Sequence, residues 1–216
     1  MRRLALPAGV LLLAAIWLGP LLGAWRESFS AHMLAHTGVI AVSAPLIAIG
    51  LPDRWRPGPA MPVALPVLAS VVELLAVWGW HAPVMRAAAE TSPAVTVAEQ
   101  ATFLLVGVLL WCTSFAAPDE RKHAATGAAA LLLTSIHMTL LGVLLALSPR
   151  PLYGAGEVTC FGFVLDGSQD QQLGGVVMLL VGSVVYLAGG ISLVARLLAS
   201  PSAVANVSAP SDWRGR

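Results

Sequence analysis

The sequence predicts an all-α fold, a polytopic membrane bundle of about six transmembrane helices with both termini in the cytoplasm. Composition is the first reason: 57% of the 216 residues are hydrophobic and 11% charged, whereas about a quarter of an ordinary soluble domain is charged. Mean hydropathy is +0.81. The second reason is length, because six apolar windows reach the roughly 20 residues that a spanning helix requires. The third is the alternation of basic residues between successive connections.

The windows run approximately over 4–25, 29–50, 60–81, 96–117, 124–147 and 173–199. The first follows Arg2 and Arg3 and resembles a secretory leader, but Leu22 stands where a cleavage site ending at Ala24 wants a small residue. Pro52, Pro57 and Pro59 mark the connection between the second and third windows as a loop. The run Asp119, Glu120, Arg121, Lys122 separates the fourth from the fifth. Residues 1–199 read as one bundle without an internal repeat, which argues against inverted-repeat transporter folds. The remainder, 200–216, reads as a flexible cytoplasmic tail.

With a cytoplasmic N-terminus, the inner segments hold Arg2, Arg3, Arg54, Arg56, Arg121, Lys122, Arg196, Arg214 and Arg216. The outer ones hold Arg26, Arg86 and Arg150, so nine basic residues face three. Net charge is +1 and basic residues sit singly or in pairs, a pattern that excludes a nucleic-acid partner. The two cysteines form no Cys-x-x-Cys pair. Cys112 falls near the inner end of the fourth window and Cys160 in an outer connection, which argues against a bridge between them.

This topology gathers histidines at the outer side. His32 and His36 are four residues apart, nearly on one helical face, and could hold one ion between them. His81, in Trp78-Gly79-Trp80-His81-Ala82-Pro83, is delivered to the same surface by the third helix. His137 lies about 15 Å down the fifth helix by rise. His123 reads as a solvated residue of a cytoplasmic loop. A lone intramembrane histidine is equally a hydrogen-bonding group between helices. Three helices delivering to one leaflet is the observation that favours a site.

Met33 and Met138 follow two of these histidines, and imidazole with thioether is a soft donor set suited to Cu(I). Neighbouring residues on a helix point about 100° apart, so ligands would come from different helices; the simpler reading of both methionines is lipid-facing filler. Glu73, about 12 Å from the outer end of the third helix, must be protonated, paired with a histidine or facing water. Glu99 and Gln100 open the fourth helix, where Glu99 serves as a ligand or as a favourable charge at a helix N-terminus. Asp170 reads as the N-cap of the sixth helix. Gln171, Gly175, Met178, Gly182, Tyr186 and Gly189 then form a stripe for close helix packing. The connection 148–170, longer than usual for a structureless loop, covers the outer mouth.

At these residues the chain resembles the CtaG family of cytochrome c oxidase assembly factors, the membrane group associated with caa-type oxidases. The resemblance rests on SFSAHMLAH at 28–36, WGWHAP at 78–83, HMTLLGVLLALSPRPLYG at 137–154 and DQQLGG at 170–175. Glu99-Gln100 departs from the histidine expected there in many relatives. The resemblance implies a non-enzymatic, multi-pass protein of the bacterial inner (plasma) membrane that matures a haem-copper oxidase and handles the copper of its binuclear centre. His32, His36, His81 and His137 would be the metal ligands, with Met33, Met138, Glu73 and Glu99 as lesser candidates. The implied partners are oxidase subunits in the bilayer and a periplasmic copper donor. Two alternatives stay open: a haem-binding electron-transfer subunit with His36 and His137 as axial pair, and a copper or proton transporter using Glu73 as relay.

Overall fold

The structure, a computed structural model, describes residues 2–58, 60–116, 120–154 and 156–199. The tail expected at 200–216 lies outside the described residues. Among those described, the helices are α1 (Arg2–Leu18), α2 (Phe29–Gly50), α3 (Leu65–Trp80), α4 (Pro83–Thr91), α5 (Pro93–Ser114), α6 (Arg121–Ala146) and α7 (Gly167–Ala199). One antiparallel hairpin, β1 (Glu157–Cys160) and β2 (Phe163–Asp166), precedes α7.

Six spans were expected; four helices, α2, α5, α6 and α7, are long and apolar enough to cross a membrane, and a fifth crossing forms if α3 and α4 count as one. In the third expected window, 60–81, the helix forms only over Leu65–Trp80, 16 residues, before the chain bends. Pro20 lacks an N–H and restricts Gly19, so α1 stops at Leu18 and the chain turns, with the Gly23 and Trp25 amides donating to the Pro20 carbonyl. At 1.5 Å per residue α1 is roughly 25 Å long, short of the roughly 30 Å hydrocarbon core. Pro83 holds Ala82 extended, and α4 leaves α3 at 70°.

Boundaries also shift. Pro93 starts α5 three residues before the expected 96. Glu99 therefore lies in the second turn of that helix, too deep to cap it. The connection after α6 is not structureless: its hairpin closes through Phe161 (φ 51°) and Gly162 (φ 82°), the left-handed pair of a tight hairpin turn. Phe161 packs on Trp25 with ring centroids 4.3 Å apart.

Close backbone approach fixes the packing. A Cβ on Gly50 would stand 2.3 Å from the Leu6 amide nitrogen, and one on Gly38 would stand 2.7 Å from the Ile16 side chain. Helices α1 and α2 therefore run antiparallel, with Arg2 reaching the Ile49 and Leu51 carbonyls and pairing with Asp53. A Cβ on Gly175 would lie 2.6 Å from the Ala146 nitrogen, so the expected small-residue stripe of α7 does seat α6.

Asp170 is a correction. Because α7 begins at Gly167, the residue sits inside its first turn and caps a different helix. Its buried carboxylate accepts from the Phe29 and Ser30 amides at 2.5 and 3.0 Å and from the Ser28 and Ser30 hydroxyls at 2.9 and 2.5 Å. Charge and hydrogen bonds thus meet the N-terminus of α2 directly. The Ser28 hydroxyl also takes the Ala31 amide. His123 is the second correction: it is buried, with ring nitrogens 3.0 Å from a Glu120 carboxylate oxygen and from the Met61 carbonyl. Both cysteines are buried and free.

Candidate metal centre

The cap built on Asp170 sets the start of α2, and with it the turn that carries His32 and His36. Their rings lie 6.5 Å apart, nearly parallel at 9°. His81, just past the last residue of α3, places its ring 5.1 Å from His36 and 6.2 Å from His32. Phe103 of α5 closes the far side, 4.1 Å from the His36 ring. All three imidazoles are buried. From the connection after α6, Tyr153 stacks on Phe29 and donates its hydroxyl to the His81 carbonyl at 2.6 Å. Burial pushes that phenol up to about 12 against an opposing pull from Arg86, so it stays a donor.

The three histidines differ in what their nitrogens do. His81 Nδ1 lies 2.6 Å from the Val77 carbonyl oxygen, an acceptor that requires Nδ1 to carry the proton. Nε2 is then a lone pair, buried and without a hydrogen-bond partner among the described residues. That is the tautomer in which a histidine binds metal, with the other nitrogen anchored on a carbonyl. Among the same residues, both ring nitrogens of His36 also lack partners. His32 is engaged instead: Arg86 Nη1 lies 3.0 Å from its Nδ1. A guanidinium has only donors, so Nδ1 accepts and the ring proton sits on Nε2, 3.6 Å from a Glu99 carboxylate oxygen. Arg86 is itself fixed by the Arg26 carbonyl and Glu90, each at 3.0 Å.

His137 has both nitrogens buried without partners, yet among the described ring contacts none joins it to the other three histidines. Met33 and Met138 are fully buried rather than lipid-facing, and they pack toward the α7 glycines: a Cβ on Gly174 would meet Met33, and one on Gly182 would meet Met138. Glu73 is also buried, and it partners no histidine. Thr134 donates to one oxygen at 3.1 Å and Tyr186 lies 2.5 Å from the other. The Tyr186 hydroxyl also sits 3.2 Å from the Ile40 carbonyl, which belongs to a π-helical stretch of α2, Gly38–Ser43. Among the described residues no group of three or more His, Cys, Asp or Glu side chains is arranged to hold a metal ion. What the cluster offers is a pair of available nitrogens.

Arg86, Phe103, Tyr153 and Tyr186 were not read from the sequence as site residues. For Arg86 a signal existed: Arg86 and Glu90 are spaced as an i, i+4 pair on a short segment otherwise rich in alanine.

Fold and site together define a helical membrane protein that keeps imidazole donors buried in a cluster at one end of its helices. Its residues 1–200 match the family described as cytochrome c oxidase caa3 assembly factor (Caa3_CtaG), and the chain belongs to that family. No curated protein and no solved structure matches it.

Proposed function

We propose that this protein assists cytochrome c oxidase assembly by holding Cu(I) transiently between His36 and His81 and passing it to an oxidase subunit in the same membrane. The observation that carries the reading is the His81 tautomer: Nδ1 is anchored on Val77 and Nε2 is left bare beside an uncommitted His36. Copper is cargo here, so two exchangeable nitrogen donors suit it better than a closed four-ligand cage. Under the orientation given by the basic residues, this end faces the periplasm of a bacterial inner membrane, where a copper donor would load it. No catalytic step is involved.

His32 joins only when Arg86 withdraws, and His137 lies deeper in the same bundle as a further stop. The haem alternative fits poorly, since the His36 face toward α5 is filled by Phe103 and its other side by His81. The transporter alternative is disfavoured because Glu73 is tied to hydroxyls of two other helices.

The test is made in the host membrane. Replacing His36 and His81 together with alanine should leave oxidase haem content near normal while oxidase copper falls to a minor fraction. Normal copper in that variant, expressed at wild-type level, would contradict the reading.

A further inference from the structure

At the end opposite the His32, His36 and His81 cluster, α1, the end of α2, the residue after α5 and the end of α7 enclose an open cavity of about 620 Å³, within the roughly 300–1,000 Å³ range of ligand pockets. Its rim carries Arg2, Arg56 and Arg196, and no acidic side chain lines it among the described residues. Its walls include Ala5, Ala8 and Leu46. The three arginines come from segments far apart in sequence, so folding, not a local basic run, brings them together. Arg2 is paired with Asp53 outside the lining. Arg56 directs one N–H to the Phe115 carbonyl at 3.4 Å, leaving its other donors for a ligand. The rim residues Leu4 and Ile49 are exposed, so the apolar wall continues onto the lipid-facing surface.

We infer that this cavity binds the phosphodiester headgroup of an anionic phospholipid, with the guanidinium groups on the phosphate and the upper acyl chain along α1 and α2. Guanidinium forks match phosphate oxygens bidentately, and basic pockets among membrane helices on the cytoplasmic side hold anionic headgroups. A free phosphate ion would satisfy the arginines and leave the apolar wall unused. Arg54 provides an internal control: it belongs to the same loop but lies over the Trp55 ring, 5.6 Å from its centroid, and does not line the cavity.

The test counts phospholipid retained per full-length chain by native mass spectrometry after reconstitution in phosphatidylglycerol or in phosphatidylcholine. One phosphatidylglycerol per chain should persist, with roughly tenfold weaker retention in Arg56→Gln and Arg196→Gln and none lost in Arg54→Gln. Arg56→Lys and Arg196→Lys keep charge and should retain more lipid than the glutamine variants. If the latter misfold, the wild-type contrast between lipids and the lysine series decide. Equal retention of both lipids, equal loss in Arg54→Gln, or displacement by inorganic phosphate would overturn the inference.

Discussion

Replacing Asp170 with alanine lowers the stability of the folded protein by about 3 kcal/mol, because it strips the N-terminus of α2 of the carboxylate that accepts its first amides. Four hydrogen bonds converge on that carboxylate. Their donors, two amides and two hydroxyls, are buried at the start of a membrane helix where water cannot replace the oxygens. Asp170→Asn should fall between wild type and alanine, since one amide oxygen can still accept while the NH2 group opposes a backbone N–H. Unfolding titrations in mixed micelles measure the difference. A loss under about 0.5 kcal/mol for the alanine variant would mean that α2 is positioned by packing alone.

Under the proposed copper role, replacing Arg86 with glutamine should raise Cu(I) affinity by about tenfold, because it both releases His32 and removes a positive charge. At an effective dielectric near 20 two unit charges about 4 Å apart repel by about 4 kcal/mol, an effect that falls with distance, so removal of a neighbouring cation favours a second one. The bond from Arg86 to His32 Nδ1 is the structural basis. Arg86→Lys keeps the charge and should show no gain. Competition against a Cu(I) chelator provides the readout. Equal or weaker binding in a folded Arg86→Gln protein would show that Arg86 does not hold the third histidine back.

The gathering of His32, His36 and His81 was legible because it needs only helical spacing, window order and the proline that ends α3. Span number was less so. An apolar window reports where a helix can lie and ignores where proline and turns interrupt it, so α1 is shorter, α3 starts only at Leu65, and a bend separates α3 from α4. Contacts between distant segments left no local trace. Asp170 reads as the cap of its own helix because sequence distance hides its nearness to Phe29, 141 positions away. The neighbour of a histidine is equally hidden: Met33 and Met138 look like soft ligands in sequence, yet they lie against α7 glycines. Which nitrogen of a histidine is available depends on the Val77 carbonyl, one helical turn before His81, and on Arg86, which only the fold brings to His32.

Copper-edge X-ray absorption on the Cu(I)-loaded, full-length protein tests the central claim most directly. The account predicts a two-coordinate, nitrogen-only first shell that disappears in both His36→Ala and His81→Ala, with no sulfur scattering from Met33 or Met138. A sulfur scatterer in the first shell, or copper retained unchanged in either histidine variant, would contradict it.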